Sequence, residues 1–405
     1  MLCNLSATIS SDPFHMTATY TTRFPLDKFR RLDTPFYYYD LELLRLTLAT
    51  LLNEAGHDSN FKVHYAVKAN ANPALLRVIA NAGLGADCVS GPEISRAVES
   101  GFDPAKIVYA GVGKTDREII TALDHDIFCF NVESEAELEV INQLAADRAK
   151  RARVAIRVNP DVGAHTHANI TTGLAENKFG ISMADLDRVI DLALNLPAID
   201  LVGLHFHIGS QILDMTDFTA LCNRINLLQE RLDLRGLQLP HINVGGGLGI
   251  DYRHPERHPV PDFKAYFDTY RRHLQLRPGQ TLHFEIGRAI VAQCGSLVSR
   301  VTYVKQGASK QFAILDAGMT DLIRPALYQA FHKIENISNP EAPLEAYDVV
   351  GPVCESSDVF GKDVELPATH RGDLILLRSA GAYGEIMASG YNCRPLPLSY
   401  TSDSI

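Results

Sequence analysis

What most constrains this chain is a rhythm. Short apolar, β-branched runs recur at residues 64–69, 85–89, 107–111, 127–132, 154–159, 202–208, 242–245 and 282–286. Between them, segments such as 73–82, 92–100, 116–123, 134–151 and 183–195 repeat apolar residues at helical spacing. These often open with Pro, Ser or Asp, as helix N-termini do. Strands that alternate with helices pair in parallel, because each connection crosses a face of the sheet. Eight such units predict a closed α/β TIM barrel, a (β/α)8 fold. The alternative, an open doubly wound sheet, calls for a glycine-rich turn after its first strand, and Lys68-Ala-Asn-Ala71 supplies none.

After about residue 290 the rhythm changes. Segments such as 297–305, 311–316 and 373–378 alternate or run apolar between Gly and Pro, which predicts a second, β-rich domain over 291–405. A short strand at Phe36–Tyr39 precedes the first barrel helix, so residues 16–40 are expected to join that β-domain and 41–290 to form the barrel. Residues 1–15 lack the basic and apolar regions of a secretory signal; they read as a disordered tail, or as an over-long reading frame with Met16 the real start. No apolar run approaches the ~20 residues of a membrane span. Seven cysteines (3, 88, 129, 222, 294, 354 and 393), widely spread and with no C-x-x-C pair, suit a reducing compartment and exclude a zinc ribbon or disulfide framework. A cytoplasmic location is the expectation. A net charge of −10 without a basic cluster argues against nucleic acid, while a small anionic substrate stays open because pocket charge decides it.

Catalytic groups of a barrel sit at the C-terminal ends of its strands. Here those ends carry Lys68, Asp87, Arg157, Asn159, His207, the triplet Gly245-Gly246-Gly247 and Glu285. Lys68 closes an apolar strand; burial is expected to lower its pKa and make the amine nucleophilic toward an aldehyde, unless it is an ordinary strand-end lysine. The glycine triplet reads as a phosphate nest or as a tight turn. Glu285, a carboxylate in an apolar strand, requires a cationic partner, either a protonated pyridine nitrogen or Arg288. His205 and His207 are two apart and face one side of their strand. With no third ligand motif to make a zinc site, no metal is expected, and stacking of an imidazole on an aromatic ring fits better.

These residues carry a resemblance. Tyr65-Ala-Val-Lys68-Ala-Asn70 is similar to the cofactor-lysine motif of the alanine-racemase-like, fold type III class of pyridoxal-phosphate enzymes. Gly85-Ala-Asp87-Cys-Val-Ser-Gly-Pro-Glu93, His205-Phe-His207-Ile-Gly-Ser210, the glycine triplet and Glu285-Ile-Gly287-Arg288 resemble its decarboxylase branch. Four further segments resemble the diaminopimelate decarboxylase family: 172–180 around Lys178, 316–328 with Arg324 and Tyr328, 351–358 with Cys354 and Glu355, and Gly381-Ala-Tyr383-Gly384. So does Tyr391-Asn-Cys-Arg-Pro395 near the end. The likeness runs from about Phe24 to Pro397. One departure is Ile286 where the family usually has proline, which adds an N–H donor and loosens φ.

The resemblance implies pyridoxal 5'-phosphate as cofactor. It also implies decarboxylation of meso-2,6-diaminopimelate to L-lysine and CO2, the last step of lysine biosynthesis. By position, Lys68 is expected to hold the cofactor, His207 to stack on its ring and Glu285 to face the pyridine nitrogen. Asp87 and Gly287 also fall in the cofactor motifs, while Ser210, Gly245, Gly246, Gly247, Arg288 and Tyr383 would hold the phosphate. Arg288, Arg324, Tyr328 and Tyr383 would bind substrate, with Cys354 as general acid and Glu355 on the distal ammonium. Cys354 and Glu355 would come from the second subunit of a homodimer. The rival readings are a related basic amino-acid or carboxynorspermidine decarboxylase, and a non-catalytic pyridoxal-phosphate-binding paralogue. The latter should have lost Lys68 or Cys354, and both are present.

Overall fold

The computed structural model describes residues 24–160 and 178–405. The expected tail at 1–15, Met16, and most of the segment around Lys178 therefore lie outside the described residues. Eight parallel strands close into a barrel: β2 (Phe61–Ala66), β3 (Gly85–Cys88), β4 (Ile107–Tyr109), β5 (Cys129–Val132), β6 (Ala152–Arg157), β7 (Ile199–His205), β8 (His241–Asn243) and β9 (Thr281–Ile286). The predicted α/β barrel is the observed one. β9 pairs back onto β2 from Phe61↔Leu282 to Tyr65↔Ile286, which seals it.

The helices form where side chains satisfy their first N–H groups. Asp40 accepts from Glu42 and Leu43 at the start of helix Leu41–Ala55. Asn72 caps Pro73–Asn81, which also has proline at its first position. Ser90 and Ser134 cap Gly91–Glu99 and Glu135–Ala146, and a Thr115–Glu118 capping box opens Asp116–Asp124. The helix expected over 134–151 stops at Ala146, because the chain leaves helical geometry with Ala149 at φ +51°.

Strand ends differ from expectation in a consistent way. The run expected at 64–69 pairs only through Ala66; Val67–Ala69 is a 3-10 turn that lifts Lys68 off the ladder. Likewise β7 stops at His205, before the expected 208, and β8 at Asn243, before the expected 245. The apolar pattern continues past the last ladder bond because those residues stay buried. The backbone there has already turned toward the mouth.

A second sheet, in the order β12-β15-β10-β11-β13-β14, is built from β10 (Gly295–Gln306), β11 (Gln311–Leu315), β12 (Ile334–Asn336), β13 (Leu344–Val350), β14 (Val359–Pro367) and β15 (Leu374–Leu377). β1 (Phe36–Tyr39) pairs antiparallel with β10 and parallel with β16 (Leu398–Thr401), so the first and last described strands lie side by side. Tyr37 and Tyr39 turn their buried rings toward the barrel core, while Phe36 and Tyr38 pack in a smaller cluster with Phe29 and Val298. Among the described residues, no helix is long and apolar enough to cross a membrane.

Candidate active site

The barrel mouth opens into a cavity of about 590 Å³, a size suited to a small molecule. Lys68, His207, Glu285, Arg288, Arg324 and Tyr383 line it, with Ser210, Gly247, Gly287 and Tyr328. The sequence spreads these residues from 68 to 383, and the fold gathers them.

Lys68 Nζ lies 3.3 Å from Asp87 Oδ2. Asp87 is fully buried, and its Oδ1 has no partner. The expected depression of the Lys68 pKa is not found. Burial acts to lower it, but Asp87, then Tyr383 and Glu285, outweigh that and raise it above the ordinary lysine value. Burial, then the nearby Glu285 charge, pushes Asp87 up to about 7 against the pull of Lys68. One ammonium thus serves two carboxylates.

Glu285 is the better anchored of the two. Its Oε2 accepts from His205 Nε2 at 2.9 Å, and its Oε1 accepts amide N–H groups from Asn243 at 2.7 Å and Asn131 at 3.1 Å. Burial would raise its pKa, but His205 and then Lys68 hold it well below the usual carboxylate range. Arg288, one of the two partners weighed from sequence, is not bonded to it; Arg288 donates to Tyr252 Oη at 2.5 Å and Ser210 Oγ at 3.0 Å. His207 points into the cavity while its Nδ1 accepts from the Gly246 N–H at 3.3 Å. Burial, then Lys68 and Arg157, keep its ring neutral by lowering its pKa well below 6.5.

Two N–H groups of the glycine triplet are already used. Gly245 donates to Asn243 Oδ1 at 2.9 Å and Gly246 to His207, leaving Gly247 on the cavity wall. Tyr383 sits at φ +57°, fixed by its N–H on the Ala69 carbonyl at 2.8 Å, with the Arg288 guanidinium 4.8 Å from its ring centroid.

Arg288 and Arg324 are both buried, and among the described residues neither has a carboxylate partner. They flank Tyr252, at 5.9 and 5.0 Å from its ring centroid. Arg324 Nη1 donates to His332 Nε2 at 2.9 Å, and His332 Nδ1 donates to the Arg378 carbonyl at 2.8 Å. Burial and the facing Arg324 push His332 down to about 3, so it orients the arginine without neutralising it.

Cys354 and Glu355 stand apart. Both are exposed, neither lines the cavity, and Glu355 Oε1 accepts from Tyr391 Oη at 2.5 Å. Ile286, in the place of the family's proline, is buried and forms part of the wall. Sequence reasoning missed Tyr252, Asn131, Asn243 and His332. The two asparagines did carry a signal, being amides inside apolar strands, where a buried polar group needs a partner.

The residues fit a phosphorylated pyridine aldehyde. Asp87 Oδ1 and Arg288 Nε are buried without partners, the mark of a site organised for a further polar group. An amine, an anionic carboxylate, a neutral imidazole and an unneutralised guanidinium face one space, which matches an aldehyde, a cationic ring nitrogen, a π face and a phosphate.

Comparison with known proteins agrees. Residues 47–292 match the model of the pyridoxal-dependent decarboxylase, pyridoxal binding domain. The chain is 69% identical over 382 residues to a diaminopimelate decarboxylase of Bacteroides thetaiotaomicron, covering 94% of this chain and 99% of that one. A Helicobacter pylori diaminopimelate decarboxylase, solved with L-lysine, superposes with a TM-score of 0.87 at 39% identity over 93% of each chain. A lysine/ornithine decarboxylase from Vibrio vulnificus shares the fold at 22% identity and a TM-score of 0.80, over 94% of this chain and 97% of that one.

Proposed function

The chain belongs to the pyridoxal-dependent decarboxylases, in the diaminopimelate decarboxylase family, and from that membership we infer the reaction it performs. It decarboxylates meso-2,6-diaminopimelate to L-lysine and CO2, the last step of lysine biosynthesis. Its own structure supports this substrate class through one observation: two buried guanidiniums, Arg288 and Arg324, without a carboxylate among the described residues. A buried unpaired charge costs several kcal/mol until an anion meets it. A phosphate and a carboxylate would do so, whereas a diamine such as ornithine carries only cations at its far end.

Pyridoxal 5'-phosphate supplies an electron sink for the pair left at Cα when CO2 departs. We assign Lys68 Nζ as the amine that holds the cofactor, with Asp87 Oδ2, 3.3 Å away, placed to take the proton the ammonium must lose. Glu285, kept anionic by His205, would hold a ring nitrogen protonated, each pKa unit being worth about 1.36 kcal/mol. His207 offers an uncharged flat face. Ser210, Gly247, Arg288 and Tyr383 are assigned to the phosphate, with Gly245 and Gly246, whose N–H groups are engaged by Asn243 and His207, holding the turn that presents it. Arg324, with Tyr328, would grip a substrate carboxylate.

A proton must then reach Cα, and among the described residues no cysteine lines the cavity. We assign that step to the Sγ of Cys354 of the partner subunit, and the distal ammonium to Glu355 of the partner subunit. The exposure of both residues supports a homodimer with shared sites. Mixing the Lys68→Ala and Cys354→Ala variants tests it. A shared site restores about a quarter of wild-type activity, because half the dimers are mixed and each has one intact site. A site within one chain restores none.

The substrate is tested with pyridoxal-phosphate-loaded protein and meso-diaminopimelate, ornithine and arginine, following CO2 and product. Lysine and CO2 from diaminopimelate, abolished by Lys68→Ala, is the expected result. Release only from ornithine or arginine would overturn the assignment and remove Arg324 from substrate binding.

A further inference from the structure

A second cavity, of about 430 Å³, opens at the other end of the barrel, where the strands begin. Its inner wall carries three histidines from three strands: His64 of β2, His241 of β8 and His283 of β9. They form one hydrogen-bonded chain. His64 Nδ1 lies 3.0 Å from the Lys106 carbonyl, His64 Nε2 lies 2.9 Å from His283 Nδ1, and His283 Nε2 lies 3.0 Å from His241 Nδ1.

The carbonyl fixes the direction of the whole chain, since it can only accept. His64 therefore carries its proton on Nδ1 and accepts at Nε2. His283 must donate there from Nδ1, so its Nε2 accepts, and His241 must donate from Nδ1. Each ring is neutral in this arrangement, in accord with burial lowering the pKa of all three. The last atom, His241 Nε2, is left as a lone-pair acceptor with no partner among the described residues, on a half-buried side chain at the cavity wall.

The strands are shaped around this chain. A Cβ on Gly85 would overlap both His64 Nδ1 and the Lys106 carbonyl, and one on Gly203 would overlap the His241 backbone and Cβ. Phe128 stacks on His283 at 5.3 Å with 19° between the planes, and meets His241 edge-on at 5.0 Å. Leu52, Phe61, Val63 and Leu84 make the rest of the wall apolar. Lys62 and Lys106 also line the cavity, and no carboxylate does among the described residues. Each lysine donates a hydrogen bond to a backbone carbonyl, Lys62 to Ser59 and Lys106 to Gly83.

We propose that this barrel-floor cavity is a binding site for a small aromatic carboxylate bearing an N–H or O–H donor. The donor meets His241 Nε2, the ring packs against Phe128 and Phe61, and the carboxylate reaches Lys62 or Lys106. The site lies at the opposite strand ends from the mouth cavity, so its ligand would not compete with a ligand bound there.

Indole-3-acetate is a suitable probe, because the chain contains no tryptophan and the ligand's own fluorescence reports its tumbling. The experiment measures its anisotropy with pyridoxal-phosphate-loaded enzyme saturated with L-lysine. Binding that persists under saturating L-lysine, and that weakens tenfold or more in His241→Phe and severalfold in Lys62→Gln, is expected. The Lys62 variant alters an exposed side chain and guards against a folding defect in the first. No anisotropy change up to millimolar protein, equal binding by both variants, or displacement by L-lysine would each overturn the proposal.

Discussion

β2, β8 and β9 furnish polar groups to both ends of the barrel, and the two ends treat them oppositely. At the floor, His64, His241 and His283 partner one another as neutral rings, and only one acceptor is left over. At the mouth, Lys68 beyond β2, the glycines beyond β8 and Glu285 of β9 sit among charges that do not cancel. Lys68 is shared by two carboxylates, and two arginines have no carboxylate partner among the described residues. Among the described residues, the floor histidines are closed among themselves apart from one lone pair. The mouth stays costly until charged ligands arrive, and that cost is what a site spends on binding and orientation.

The sharpest way to break this contrast is to remove one group from each end. Lys68→Ala should lower kcat about ten-thousandfold, as expected for loss of a covalent anchor. His283→Phe, at the floor, should change kcat by no more than about twofold. Steady-state kinetics of the two variants decide it. A floor variant as inactive as the mouth variant would show that the ends act as one unit.

Arg324→Gln comes next. It should lower kcat/KM for diaminopimelate about a hundredfold, the ~2.7 kcal/mol of a lost charge-assisted pair. Its distinctive sign is in stability: removing a buried unpaired cation should leave the denaturation midpoint unchanged or higher. Strong destabilisation would mean that Arg324 supports the fold and does not wait for an anion.

His283→Phe has a smaller and opposite signature. It leaves His64 Nε2 and His241 Nδ1 without partners, which should cost about 2–3 kcal/mol. Urea unfolding at fixed protein concentration measures this. A neutral result would mean that water replaces the chain link.

The sequence exposed these two ends unequally. The barrel was legible because parallel strands buried on both faces read as continuous apolar runs. The same continuity hid the strand ends: Val67, Ala69 and Ile208 are as buried as ladder residues although the ladder has stopped. At the mouth, Lys68, His207, Glu285, Arg288, Arg324 and Tyr383 were named from motifs, and the structure gathers them around one cavity. Their partners were not legible. Tyr252 and His332 act through contacts 36 and 8 residues from the arginines they meet, with no periodic signal to connect them. The Lys68 pKa was read with the wrong sign, because burial was visible in the strand pattern and Asp87 as its neighbour was not. The floor histidines were missed altogether: a hydrogen-bonded chain across three strands exists only once barrel closure brings β9 beside β2.

The smallest expected effect concerns His332, the neutral imidazole among the mouth's charges. Its folded pKa of about 3 lies below the ordinary value of 6.5, because it is buried and faces Arg324. As pH falls below 6.5 the unfolded chain takes up a proton that the folded chain refuses, so stability is lost between pH 6.5 and about 3. At pH 5 this amounts to about 2 kcal/mol. His332→Gln keeps an acceptor for Arg324 and a donor for the Arg378 carbonyl but has nothing to titrate. Its unfolding free energy should therefore fall about 2 kcal/mol less than wild type between pH 7.5 and pH 5. Other histidines with lowered pKa, the floor chain among them, titrate alike in both proteins, so the difference isolates His332. Parallel pH curves would mean that His332 is already charged when folded, and that Arg324 is oriented by some other contact.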